Sequence, residues 1–316
     1  MNPEENVSPM SPVQNFTPVQ PVQQQVPQTP PIKIGKFKAS KMIFKESWNI
    51  LKQNKELLWF PVFSGIASLL ALVVMVALFF FVVMQGDINA FNNISDVGGE
   101  VLTYTTLFVY YVVMFFIANY FMAGVYIIVQ GQFNGQNLSL SEGISGANRN
   151  IGKIFVWSVI SATVGVVLRF ISDKSKWLGQ LVVWLLGAAW AIMTYFSLPS
   201  LVIGQRSVGE SFKESAALIR KTWGETIIIS FGVGLYFMAL VLGIIAVCGI
   251  IIILVPVFEM VILVGILFVV AMVGISVVSS TLSSIFKLAI YQYALTGTVP
   301  TGFSPDLIKG AIKAGK

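Results

Sequence analysis

The chain has no histidine and one cysteine, Cys248, among its 316 residues. Without histidine it lacks the commonest general base near neutral pH and the commonest metal ligand. A single cysteine excludes an intramolecular disulfide and a cysteine metal cluster. The sequence also lacks a phosphate-binding loop, a nucleophile elbow, a zinc motif and a dinucleotide fingerprint. We therefore predict a protein that is not an enzyme and has no cofactor or metal site.

Charged residues are scarce as well. They make up 11% of the chain, against 56% apolar residues and a mean hydropathy of +0.81, whereas a soluble domain has about 25% charged and 45–50% apolar residues. This composition predicts a multi-pass membrane protein. The formal net charge is +6, but a nucleic-acid partner needs basic residues on a soluble surface. Because the lysines here flank hydrophobic stretches, we expect no nucleic acid.

Residues 1–32 differ from the rest of the chain. They are rich in Pro and Gln and contain eight of the thirteen prolines. Such a segment favours polyproline II or disorder and cannot bury a core, so we predict a tail. Its P-x-x-P triplets leave open the alternative of a ligand for an aromatic groove. A secretory signal would be basic and then apolar, so we expect the first hydrophobic span to be uncleaved.

Long hydrophobic runs begin after the tail, and a membrane helix needs about 20 such residues. The region 226–276 has Glu259 as its only charge, but as one helix it would be about 76 Å long, more than twice the membrane core. We expect it to fold back between Gly249 and Pro256. The prediction is a membrane domain over 33–300, with spans at 57–84, 102–130, 154–172, 178–203, 226–250 and 257–284. A short C-terminal helix over 301–316 follows, starting at Ser304-Pro305-Asp306.

The basic residues predict the orientation of the chain. With six spans and an internal N-terminus, seventeen of the twenty lysines and arginines fall on the inner side, leaving Arg169, Lys174 and Lys176 outside. Cytoplasmic loops carry such an excess. We therefore predict a plasma-membrane or bacterial inner-membrane protein with both termini in the cytoplasm.

One four-residue sequence, Phe-Lys-Glu-Ser, occurs twice, at 44–47 and 212–215. Each copy precedes a hydrophobic span and has apolar residues at helical spacing, and a weaker stripe over 140–151 precedes the third span. We predict an all-α membrane fold of three helical hairpins, each preceded by a cytoplasmic amphipathic helix. The repeated motif is then a hinge into the membrane.

Two alternatives remain for these amphipathic helices: their apolar faces lie at the lipid headgroups, or they pack on the bundle's own cytoplasmic face. In the first, nearby lysines attract anionic lipid. The predicted interface residues are Lys33, Lys36, Lys38, Lys41, Lys45, Phe44, Trp48, Phe212 and Trp223. The predicted function is a non-enzymatic membrane component that engages lipid or a partner protein. The alternative is a small-solute or ion transporter or channel, supported by the internal repeat.

Glu259 is the strongest single candidate for chemistry, because an acidic group in a span is a functional candidate by default. The topology places it near the outer surface, where a helix N-terminus favours an anion. Arg169 falls at the same level. The sequence predicts a structural role for Glu259, either at the membrane interface or in an ion pair with Arg169, with ion or substrate handling as the alternative.

Three stretches carry a family resemblance: SWNILKQNKELLWFPVFSG at 47–65, SAALIRKTWGE at 215–225 and IFKLAIYQYALTGTVPTGF at 285–303. Through them, residues 40–316 resemble a family of prokaryotic multi-pass membrane proteins classed as a domain of unknown function. The wider group is similar to the membrane domain attached to some glycerophosphodiester phosphodiesterases. The resemblance implies a six-helix membrane fold and no particular activity.

Overall fold

A computed structural model of the chain describes residues 36–85, 96–222, 225–255, 257–305 and 308. All regular structure in these residues is helical. The α-helices are α1 (Lys36–Gln53), α2 (Trp59–Gln85), α3 (Asp96–Phe133), α4 (Leu140–Arg149), α5 (Ile151–Lys174), α6 (Trp177–Met193), α7 (Ser197–Val202), α8 (Val208–Thr222), α9 (Glu225–Leu254) and α10 (Phe258–Thr296). A short 3-10 helix, Lys55–Leu58, joins α1 to α2.

Six stretches are long and apolar enough to cross a membrane: Lys55–Leu78, Glu100–Phe133, Ile151–Lys174, Trp177–Val202, Phe237–Leu254 and Phe258–Thr296. The prediction of an all-helical chain with six stretches apolar enough to cross a membrane is confirmed for the described residues. The break in the fifth hydrophobic region lies between Leu254 and Phe258, around a proline, which lacks the backbone donor that a helix needs. Gly249 lies inside α9 rather than at the break.

Most of the buried apolar residues form one cluster at one end of the bundle. It combines α1, the start of α2 and α5, the last part of α3 and α10, the short helices between the spans, and Phe237 of α9. Phe60, Val129, Ile154, Leu218 and Leu288 are representative members, each buried. We call this part of the molecule the core end.

Away from the core end, large apolar side chains are exposed. Trp177 is 71% exposed, Ile253 78% and Phe258 75%. Water would penalise such a surface at roughly 25 cal/mol for each Å² of apolar area. A lipid bilayer does not, and the exposed surface therefore agrees with the six candidate spans.

The apolar faces of α1 and α8 are covered by the protein itself. Ile43, Ile50 and Leu51 of α1 are buried, and α1 packs against α9 and α10. Leu218 and Ile219 of α8 are also buried, and α8 packs against α6, α7 and α10. Both copies of Phe-Lys-Glu-Ser lie in the interior of these helices, not where the chain turns into the next long helix.

Helices α2, α3 and α4 interlock at the core end through one aromatic ring. Phe60, which is 1% exposed, packs over Gly124 of α3 and Gly143 of α4. A Cβ atom at position 143 would lie 2.8 Å from Cζ of Phe60 and from Cδ1 of Ile128. The carboxylate of Glu56 adds a polar tie, since it accepts a hydrogen bond from the backbone N–H of Leu140.

Candidate functional site

The second Phe-Lys-Glu-Ser copy forms a polar cluster at the core end. Glu214 accepts hydrogen bonds from Tyr291 Oη at 2.8 Å, Ser200 Oγ at 3.1 Å and Arg206 Nε at 2.8 Å. We call these four residues the Glu214 clamp. Tyr291 and Ser200 are buried, while the Arg206 side chain is 51% exposed. The hydrogen bond to Glu214 raises the pKa of Arg206 above its usual value. The clamp ties α8 to α7 and α10.

Two other residues of this copy, Phe212 and Ser215, attach α8 to the last turn and the end of α6. Ser215 is buried, and its Oγ donates to the carbonyl of Met193 at 2.7 Å and accepts from the N–H of Phe196 at 2.9 Å. These backbone groups lie where α6 ends and α7 begins, so Ser215 satisfies groups that the helix break frees. The ring of Phe212 stacks on Trp190 at 5.7 Å.

The first copy is arranged differently. Phe44 and Trp48 stack with ring centroids 6.0 Å apart, and both are half-buried. The carboxylate of Glu46 accepts a hydrogen bond from the N–H of Ser304 at 3.2 Å. Ser47 is 1% exposed, and its Oγ has no hydrogen-bond partner among the described residues. Lys45 is exposed.

Capping boxes precede α4 and α8. Ser139 and Glu142 bond each other's backbone N–H at the start of α4, and Ser207 and Glu210 do the same before α8. The backbone N–H of the capping serine is the first cause that lowers the pKa of Glu142 and of Glu210. Ser304 has no glutamate three positions later in the chain, since that residue is a leucine. The carboxylate of Glu46 in α1 accepts the hydrogen bond from the N–H of Ser304 instead.

These capping boxes predict an acid-sensitive contribution to stability. A lowered pKa in the folded protein gives stabilisation that is complete above the ordinary value of 4.5 and is lost as pH falls through the lowered value. We expect the thermal midpoint of Glu142→Gln in detergent to approach that of the unmodified protein as pH falls from about 7 to about 3. A difference between the two midpoints that does not change with pH would contradict the prediction.

Several basic residues at the core end have no ion-pair partner among the described residues. At the core end, Lys45, Lys52, Lys55, Lys213 and Arg220 are exposed and form no ion pair with a described carboxylate. The described glutamates there are already engaged at helix N-termini or in the Glu214 clamp. The core end therefore presents cations whose charge no described carboxylate balances.

The predicted interface residues are only partly described. Lys33 and Trp223 lie outside the described residues. Lys36, Lys38 and Lys41 lie within α1, but their side chains are not described. Of the remaining predicted residues, Lys45 is exposed, whereas Phe44, Trp48 and Phe212 are half-buried in ring contacts with the protein.

The predicted ion pair between Arg169 and Glu259 does not form. Nε of Arg169 lies 3.0 Å from the carboxylate of Asp173, one helical turn further along α5. Residues four apart on a helix face each other, so the local partner is reached first. Glu259 is exposed in the first turn of α10 and forms no ion pair with a described residue. Lys174 pairs with Glu100 at the same end.

Within the candidate spans, polar side chains mostly bond to neighbouring helices or to their own backbone. Asn119 donates to Ser158 Oγ at 3.2 Å, which joins α3 to α5. The single O–H of Ser284 has two acceptors within reach, Met122 Sδ at 2.8 Å and the carbonyl oxygen of Ser280. These contacts favour the packing interpretation of span polar residues.

Two surface grooves accompany the spans. One of about 410 Å³ lies between α3 and α5, and one of about 550 Å³ lies between α2, α3 and α10. Both are lined mainly by apolar residues. In the described part of the chain, no three His, Cys, Asp or Glu residues are grouped closely enough to hold a metal.

The sequence reading missed Tyr291, Ser200 and Arg206 as partners of Glu214. The glutamate was visible in the repeated motif, but Tyr291 lies 77 residues away in the chain, and one sequence offers no signal for such a contact. The backbone tie at Ser215 was equally invisible, because it depends on where α6 ends.

Comparison with protein families gives one match. The model described as "Family of unknown function (DUF6159)" matches residues 97–303. No curated protein shows a significant match to the chain. The predicted membership of a family of unknown function is thus confirmed over a shorter region than 40–316. The similarity to the membrane domain of glycerophosphodiester phosphodiesterases and the prokaryotic origin stay predictions.

Proposed function

We propose, for a chain that belongs to the family of unknown function DUF6159, a non-enzymatic role in the membrane: its core end faces the cytoplasm and binds anionic phospholipid headgroups. The observation that carries this proposal is the set of exposed lysines and arginines at the core end that have no carboxylate partner among the described residues. Basic residues beside a membrane attract anionic lipid by about 1 kcal/mol each.

The proposed architecture is three helical hairpins, each preceded by an amphipathic helix: α1, α4 and α8. Consecutive long helices pack on each other, α2 on α3, α5 on α6 and α9 on α10, which supports the hairpins. Because the apolar stripes of α1 and α8 are buried in the protein, these helices need not insert into lipid. They act as a platform that holds the lysines outward at the headgroup level.

The proposed orientation of the protein in the membrane follows from the same charges. At the core end five exposed basic residues have no described carboxylate partner, whereas at the other end only Lys176 among the described basic residues is unpaired, since Arg169 and Lys174 each pair with a carboxylate. The excess of lysine and arginine on cytoplasmic segments supports a cytoplasmic core end with both termini inside, in the plasma or bacterial inner membrane.

The proposal predicts that removing basic residues of the platform reduces anionic lipid around the protein. We expect Lys45→Gln, Lys52→Gln and Lys55→Gln together to lower the ratio of phosphatidylglycerol to phosphatidylcholine in the lipid shell at least about fivefold. The shell is isolated in polymer nanodiscs and its lipids are quantified by mass spectrometry. The matched control replaces Arg169, Lys174 and Lys176 by Gln at the other end. Equal ratios in the triple variant and the unmodified protein would refute the proposal, and recovery of a bound polypeptide in place of lipid would favour a protein partner.

A transporter or channel is the second candidate, and Glu259 favours it. Its side chain is exposed and forms no ion pair with a described residue, so it is free to bind a cation. Uptake into proteoliposomes of Glu259→Gln tests this candidate directly: activity equal to that of the unmodified protein would remove its best residue.

A further inference from the structure

Lys287 is a cation in an unusual place. It lies in α10, is half-buried, and its Nζ lies 4.4 Å from the centroid of the Tyr195 ring. No described carboxylate forms an ion pair with it. A partly buried ammonium loses hydration, and a cation–π contact replaces only part of it. The group therefore favours an anion beside it.

A small crevice adjoins the same Tyr195 ring. Its lining comprises Ile43, Phe44, Ser47, Tyr195, Leu282, Ser283 and Phe286. Its volume is about 30 Å³, enough to admit a water-sized group. It has room for a single ligand oxygen, with the remainder of the ligand outside.

Ser47 is the polar group that points to a ligand in this crevice. It is 1% exposed, lines the crevice, and has an Oγ without a hydrogen-bond partner among the described residues. A buried hydroxyl left unpaired costs about 1–3 kcal/mol, so an acceptor oxygen that enters here is stabilised. Ser283 contributes a second hydroxyl to the lining.

The depth of Lys287 in the membrane restricts the source of that oxygen. Lys287 lies about 43 Å along the helix axis from Phe258, the first residue of α10. A bilayer including its headgroups is about 40–45 Å thick. If α10 crosses the membrane from Phe258, Lys287 reaches the headgroup layer on the far side, where phospholipid phosphates lie.

We infer that Lys287, Ser47 and the Tyr195 ring form a binding site for the phosphate of an anionic phospholipid in the cytoplasmic leaflet. Lys287 balances the phosphate charge, and Ser47 donates to one phosphoryl oxygen in the crevice. Phe44, which is half-buried and lines the crevice, offers an apolar contact to the lipid carbons that stay outside, whereas a free, fully hydrated phosphate gains nothing from it. This site rests on the proposed function and specifies where one lipid molecule is held.

The test uses the full-length protein in detergent and native mass spectrometry with equal phosphatidylglycerol and phosphatidylcholine. The readout is the single lipid adduct that survives delipidation, not the surrounding shell. We expect a phosphatidylglycerol adduct on the unmodified protein, weakened about fivefold by Lys287→Gln and about threefold by Ser47→Ala. Lys287→Arg keeps the adduct and shows that the position tolerates substitution. The matched control, Lys176→Gln, changes an exposed lysine at the other end of the bundle and leaves the adduct within twofold.

Several outcomes would overturn the inference: no retained adduct on the unmodified protein, an adduct that Lys287→Gln leaves unchanged, or displacement of the lipid by millimolar inorganic phosphate that itself binds. Failure of the broader proposal gives a different pattern. If the Lys45, Lys52 and Lys55 variant loses anionic lipid from its shell while Lys287→Gln keeps its adduct, the lipid-binding role of the platform is supported and the Lys287 site is refuted. The reverse pattern supports the site and refutes the platform.

Discussion

Replacing Glu214 by alanine is expected to lower the free energy of unfolding by about 3 kcal/mol. The substitution leaves the buried Tyr291 hydroxyl without its acceptor and removes the charge-assisted bond to Arg206. A buried group left unsatisfied costs about 1–3 kcal/mol, and a hydrogen bond to a charged group contributes about 1.5–3 kcal/mol. Chemical unfolding in detergent, followed by tryptophan fluorescence, measures the change.

The control for this prediction is the neighbouring Lys213→Ala. Lys213 is exposed on the same helix and forms no ion pair with a described residue, so we expect a change within about 0.5 kcal/mol. Glu214→Gln should fall between the two, since an amide oxygen still accepts from Tyr291. Equal destabilisation by Glu214→Ala and Lys213→Ala would mean that the clamp contributes nothing to stability.

Phe60→Ala is expected to have a still larger effect, about 4 kcal/mol. The ring fills the space between Gly124 and Gly143 and is 1% exposed, so truncation leaves a cavity at the junction of three helices. Core Phe-to-Ala changes typically cost about 3–5 kcal/mol. The control, Phe81→Ala, removes a ring that is 59% exposed, and we expect it to change the unfolding free energy by less than about 1 kcal/mol in detergent.

Gly143 allows the contact with the Phe60 ring to be tested directly. Gly143→Ala places a methyl group against the Phe60 ring, and overpacking of this kind costs about 1–3 kcal/mol. Phe60→Leu should relieve part of that cost, so the double variant should be more stable than the sum of the single effects predicts. Strict additivity in the double-mutant cycle would show that the ring and the glycine do not interact.

Hydropathy alone was enough for the candidate spans. Their number and the break near position 256 follow from how many apolar residues a bilayer requires and from the missing donor of proline. The amphipathic stripes were also readable. The sequence did not show what covers those stripes. A period of 3.6 residues shows which face of α1 is apolar, but the same face suits lipid or protein.

The repeated motif illustrates this limit at individual residues. Its two glutamates have the same sequence neighbours but different partners: Glu46 bonds the backbone of Ser304, and Glu214 bonds Tyr291 and Arg206. The interpretation of the motif as a hinge assumed one role for identical letters. Arg169 shows the opposite case. Its partner Asp173 lies four residues away on the same helix, so the local sequence favoured this pair over the predicted pair with Glu259.

The contact between Glu46 and Ser304 joins residues 258 positions apart, and it has a consequence for biosynthesis. Ribosomes add about 5–20 residues each second. Helix α1 therefore leaves the ribosome tens of seconds before Ser304, the hydrogen-bond partner of Glu46, has been synthesised. During that time α9 and α10, against which α1 packs, are also unmade. Until those helices are made, the apolar face that Ile43, Ile50 and Leu51 form on α1 has no covering partner from the same chain. A chain that ends before α10 would leave this face of α1 uncovered.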